Sequence, residues 1–117
     1  GGTRRAGGRE LEAVVRPELA EGLAAGMLTP EERRRLGERG LRFPLALTVA
    51  LSAKESLYKA FSPLAKALPG FTSVRVTAID ARQITLTCLA DFSPQLAGTS
   101  LSVAWVQDHQ QVITLAS

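Results

Sequence analysis

The sequence predicts an α+β fold in which helices pack on a small antiparallel sheet. Two observations carry this. Helical periodicity and a strong helix start are confined to the first part of the 117-residue chain, whereas residues 73–117 alternate apolar and polar positions in two hairpin-like pairs. Helices first and strands second is the order of an α+β domain, and a sheet with one apolar face calls for a helical cover.

Residues 1–9, GGTRRAGGR, hold nothing that can pack and read as a flexible tail, leaving residues 10–117 as the folded unit. Leu11, Val14, Val15, Leu19 and Leu23 fall near helical spacing, so residues 10–25 read as helix, interrupted at Pro17 and Gly22. Thr29-Pro30-Glu31-Glu32 is a helix start: Thr29 can cap, Pro30 suits the first helical position, and Glu32 stands three residues after the cap. Arg33, Arg34 and Arg35 read as a solvated face near Glu31 and Glu38.

Residues 44–67 admit two readings. PLALTVALS reads as a strand and AKESLYKAFSPLAKAL as a helix, with Leu57, Phe61 and Leu64 near one face and Ser52 and Glu55 as a capping box. One long buried helix fits equally, because periodicity does not separate the two for an apolar run. Pro63 ends or kinks the segment. Further on, Val74, Val76 and Ala78 alternate with polar neighbours, as do Ile84, Leu86 and Cys88, with Asp80-Ala81-Arg82 as the link. Leu101, Val103 and Trp105 pair in the same way with residues 112–115 around the turn Asp108-His109-Gln110.

Composition excludes several functions. Net charge is +3, with nine Lys and Arg against seven acids in residues 1–42 and five against four in residues 43–117, so no basic face with interleaved aromatics marks a nucleic-acid interface. Cys88 is the one cysteine, which excludes an internal disulfide and a thiolate metal cluster, and its apolar surroundings predict a buried, inert thiol. No apolar run reaches the length of a membrane span and no signal peptide is visible, so a reducing cytoplasm is expected.

The residues with chemical potential are Lys54, Glu55 and Lys59. On a helix Glu55 and Lys59 share a face, with Lys54 about 100° round. A carboxylate there can ligate Mg²⁺ or accept a proton, and the ammonium groups can neutralise phosphate. The plain alternative is a surface Glu–Lys pair contributing about 0.2–0.5 kcal/mol.

Leu51-Ser52-Ala53-Lys54-Glu55-Ser56-Leu57-Tyr58-Lys59-Ala60 closely resembles the F/W-S-x-K-E-S-x-x-K signature of the 4′-phosphopantetheinyl transferases. The likeness extends outward over about residues 28–117, through Pro44–Thr48, Leu68-Pro69-Gly70-Phe71, Val74–Thr77 and the ending Trp105-Val106-Gln107 with Val112–Leu115, towards the siderophore-synthase (enterobactin) type and its C-terminal half. The resemblance implies one long helix through the signature. It also implies transfer of the 4′-phosphopantetheine arm of coenzyme A to a serine of a carrier protein, with 3′,5′-ADP leaving and Mg²⁺ on the pyrophosphate. Glu55 matches the metal-binding glutamate that helps deprotonate the serine. Lys59 matches the lysine on a coenzyme A phosphate, and Lys54 a second coenzyme A lysine.

Two positions depart from the family pattern. Leu51 stands where Phe or Trp is usual. The upstream G-[IV]-D-x-E segment, whose acids bind the same metal, has no counterpart with aspartate, since no Asp precedes Asp80. Glu10 and Glu12 have the right separation, but they follow Arg9 without strand-like residues, and the ligand role is not extended to them. The chain is thus expected to need a missing N-terminal half or another subunit. A fold-retaining, non-catalytic module that binds a carrier protein is the competing reading, and self-assembly into a trimeric enzyme ranks last.

Overall fold

The computed structural model describes residues 8–61 and 71–116. The first element is a strand, not a helix: β1 (Gly8–Ala13) is followed by α1 (Pro17–Met27), α2 (Pro30–Leu36) and α3 (Phe43–Phe61). Four strands follow among the described residues, β2 (Val74–Ile79), β3 (Gln83–Cys88), β4 (Ser100–Asp108) and β5 (Gln111–Ala116). Gly8 and Arg9, expected in the tail over residues 1–9, instead pair with Ala116 and Leu115; residues 1–7 lie outside the described part.

All five strands form one antiparallel sheet in the order β1-β5-β4-β3-β2. The last four make a meander, so the two predicted hairpins are its halves. β1 returns from the start of the chain to the free edge of β5, setting Glu10 opposite Thr114 and Glu12 opposite Val112. The helical reading of residues 10–25 fails at Pro17. This residue occupies the first position of α1, where its missing N–H costs nothing, and the chain before it is extended.

α2 begins as expected: Thr29 Oγ1 accepts from the Glu32 N–H (3.2 Å) and Glu32 Oε1 accepts from the Thr29 N–H (2.9 Å). The arginines that follow meet solvent, with Arg34 on Glu31 and Glu38 and Arg35 on Glu31. Residues 43–61 form a single α-helix of 19 residues, so the strand reading of PLALTVALS is set aside. Ser52 and Glu55 sit well inside that helix and do not cap it. Pro63 and Leu64 lie outside the described residues.

α3 lies across β1 and β5. Its buried face presents Ala46, Leu47, Val49, Ala50, Ala53 and Leu57 to the inner side chains of the strands, among them Val76, Ile84, Leu86, Val103 and Val112. Cys88 is buried there as a free thiol, which burial pushes above its usual pKa. Trp105 completes the core and donates its indole N–H to the Asp80 carbonyl at 3.0 Å. No helix among the described residues is long and apolar enough to cross a membrane.

Candidate metal and phosphate site

Because side chains alternate along a strand, Gly8, Glu10 and Glu12 of β1 share the face that α3 covers. Across from them, Glu55 projects from α3. Carboxylate oxygens of Glu10, Glu12 and Glu55 lie within 4.8 Å of one another. The two residues set aside in the sequence are thus the ones the fold delivers to Glu55. Their legible signal was the strand period itself: glycine, then two acids, each two residues apart.

Three contacts bring α3 this close. Gly8 leaves room for the backbone of Ser56, since a Cβ there would stand 1.9 Å from the Ser56 carbonyl oxygen. The Thr114 hydroxyl hydrogen-bonds both Ser52 Oγ (2.7 Å) and Ser56 Oγ (2.6 Å), one helical turn apart and fully buried. At the start of α3, Thr48 Oγ1 accepts from the Val15 N–H at 2.9 Å. The serines of the signature are therefore used in packing. Leu51 is partly buried against the core.

Three carboxylates in so small a space repel one another. Burial, then Glu55 and Glu10 beside it, push the Glu12 carboxyl above its usual pKa. Lys59, one turn beyond Glu55, relieves part of this: its Nζ lies 2.5 Å from Glu10 Oε2 and donates to the Arg9 carbonyl at 3.2 Å. The Lys59 side chain remains 60% exposed and reachable by a ligand. An all-oxygen, partly exposed donor set with excess negative charge fits a hard divalent cation such as Mg²⁺.

Lys54 is placed elsewhere. Its side chain is 0% exposed, and its Nζ lies 2.8 Å from Glu32 Oε2, itself buried. Burial lowers its pKa, with Glu32 opposing the shift. The Lys54 named with Lys59 for coenzyme A thus stands inside the fold, apart from the acidic cluster. Tyr58 stacks on Phe92 with ring centroids 5.5 Å apart, and burial raises its phenol pKa.

A small α+β half with an acidic cluster between its edge strand and its long helix defines the class. The family model of the 4′-phosphopantetheinyl transferase superfamily (ACPS) matches residues 8–116, and the chain belongs to this superfamily. Among curated proteins it is similar to enterobactin synthase component D of Salmonella typhi, 40% identical over 115 residues that make up 98% of this chain and 49% of that protein. The protein of the same name from Salmonella typhimurium is 42% identical over 94% of this chain and 47% of its own length. The chain thus spans about half the length of the curated relatives it matches.

Solved structures share the fold. An apo-ACPS from Chronobacterium ammoiniagenes superposes with a TM-score of 0.68 at 22% identity, covering 93% of this chain and 91% of that one. The holo-[acyl-carrier-protein] synthase of Thermotoga maritima gives 0.67 at 19% identity, covering 94% and 60%. The superfamily implied by the signature and the α+β class are therefore shown.

Proposed function

We propose that this chain is the C-terminal half of a siderophore-type transferase that moves 4′-phosphopantetheine from coenzyme A to a carrier-protein serine in the cytoplasm. The observation that carries this reading is the convergence of Glu10, Glu12 and Glu55 beside the exposed Lys59, in a chain of this superfamily. One of the solved neighbours is described as an ACPS–CoA complex, which supports coenzyme A as the donor.

In this reading Glu10, Glu12 and Glu55 hold Mg²⁺, whose charge would offset that of the pyrophosphate. Lys59 leaves Glu10 and contacts a phosphate oxygen. Glu55 also helps take the proton from the serine hydroxyl as its oxygen attacks the β-phosphorus and the bond to 3′,5′-ADP breaks. Glutamate at position 10 does the work for which the family pattern has aspartate, its longer side chain reaching the same cluster.

A second half completes the coenzyme A site. The sheet face away from α3 exposes Leu11 (54%), Val106 (58%) and Leu115 (53%), apolar surface that such a partner would cover.

The test is the intact mass of an apo carrier protein after incubation with coenzyme A, Mg²⁺ and this chain, alone and joined to the N-terminal half of a relative. The expected result is a gain of one phosphopantetheine arm with the joined protein, lost in Glu55→Gln. Binding of the carrier without any mass gain in the joined protein would favour the non-catalytic module.

A further inference from the structure

The roll of α3 about its own axis decides where Glu55 stands. Helical side chains reach about 5–6 Å from the axis, so a roll of only ~20° displaces a carboxylate by roughly 2 Å. That is a large part of the 4.8 Å within which the three carboxylates converge. On the buried face of α3, Leu47, Val49 and Leu57 alternate with Ala46, Ala50, Ala53 and Ala60, whose small side chains leave stretches of shallow ridge against the sheet. The hydroxyls of Ser52 and Ser56 fasten one side of the helix to Thr114 of β5. A helix fastened along one line can still pivot about it.

We propose that Glu32 and Lys54 are a positioning pair that removes this pivot and delivers the Glu55 carboxylate to Glu10 and Glu12. Glu32 is held independently of α3: Oε1 accepts from the Thr29 N–H and Oε2 from the Val76 N–H, each at 2.9 Å. One carboxylate thus records the positions of the α2 cap and of β2. Lys54 reaches it at 2.8 Å and also donates to the Met27 carbonyl at 3.4 Å. Lys54 precedes Glu55 directly in α3, so whatever fixes the direction of one fixes that of the other. With side chains 0% and 1% exposed, neither member of the pair meets a solvent-borne ligand. Their effect on the site passes through the helix.

The inference rests on the metal reading of the acidic cluster, and the experiment separates the two. Mn²⁺ binding by the 117-residue chain is measured from the free-ion EPR signal, without coenzyme A, for the wild type, Glu55→Gln, Lys54→Met and Glu32→Gln/Lys54→Met. Lys54→Met strands a buried carboxylate and can fail to fold, whereas the double variant buries no charge, its one amide oxygen serving one of the two N–H groups that Glu32 accepts from. Val103→Ala, a core truncation in β4, is the control for lost stability.

The expected result is a cooperatively folded double variant that binds Mn²⁺ about 10–100-fold more weakly, the range for losing a residue that orients a ligand, while Val103→Ala keeps the wild-type affinity. Wild-type affinity in the double variant, with binding lost in Glu55→Gln, would overturn the positioning role and leave the metal reading standing. A loss of affinity in Val103→Ala as large as in the double variant would overturn it too. No Mn²⁺ binding by the wild type, or none lost in Glu55→Gln, would remove the metal reading and the pair's role with it.

Discussion

Gly8 of β1 lies directly against the carbonyl of Ser56 on α3, at a separation that admits no side chain. Gly8→Ala is therefore expected to force the edge strand off the helix, costing about 1–3 kcal/mol as overpacked positions do. Because Glu10 travels with the strand, affinity for a divalent cation should fall as well. Denaturant titration and Mn²⁺ binding on the same samples check both effects; an alanine variant as stable as the wild type would contradict the close approach.

Thr114→Val tests the hydroxyl seam. Valine has nearly the shape of threonine but leaves Ser52 and Ser56 without the oxygen they share. Two buried hydroxyls losing a partner should cost about 1–3 kcal/mol, seen as a lower urea midpoint at unchanged slope. A neutral result would mean that the serines find other acceptors.

Lys59→Met should separate the two duties of that side chain. With its counter-ion gone from Glu10, the acidic cluster is expected to bind Mn²⁺ more tightly, by about fivefold for a pair worth ~1 kcal/mol with one partner, Lys59, largely in solvent. Affinity for coenzyme A in the joined protein should fall at the same time. Calorimetry with each ligand shows whether the two affinities move in opposite directions.

Asp80 carries a pH prediction. In the β2–β3 turn its Oδ1 accepts from the N–H groups of Arg82 (2.8 Å) and Gln83 (2.9 Å), which hold the carboxyl below its ordinary 3.8. The unfolded chain then binds the proton more readily than the folded one. The stabilisation is present above pH 3.8 and is lost as the pH falls through the lowered value. The stability gap between wild type and Asp80→Asn should narrow over that acid window, as read from urea midpoints; a constant gap would count against the turn bonds.

The parts of the site that were legible in the chain are those set by local pattern. The signature placed Glu55 and Lys59 on one helix face, and Thr29 and Glu32 announced the start of α2 by their spacing. Asp80-Ala81-Arg82 marked its turn. Ser52 and Glu55 show the limit of such matching: S-x-x-E also occurs inside a helix, and α3 had already begun at Phe43. Lys54 shows another limit: the motif match set it beside Glu55, but its ion-pair partner, Glu32, belongs to a different helix.

By itself, then, the sequence determined that helices precede two pairs of strands from residue 73 onward, and its likeness to the transferase signature pointed to the superfamily and to one helix carrying Glu55. The order of helices and strands depends on residues near one another along the chain, through periodicity, capping and turn chemistry, whereas the single helix was implied by the resemblance alone. Only the tertiary structure decided that GRELE is a strand and that Glu10 and Glu12 are neighbours of Glu55. Those residues have almost no apolar alternation of their own, and they become extended because the open edge of β5 supplies hydrogen-bond partners and Gly8 lets α3 settle over them.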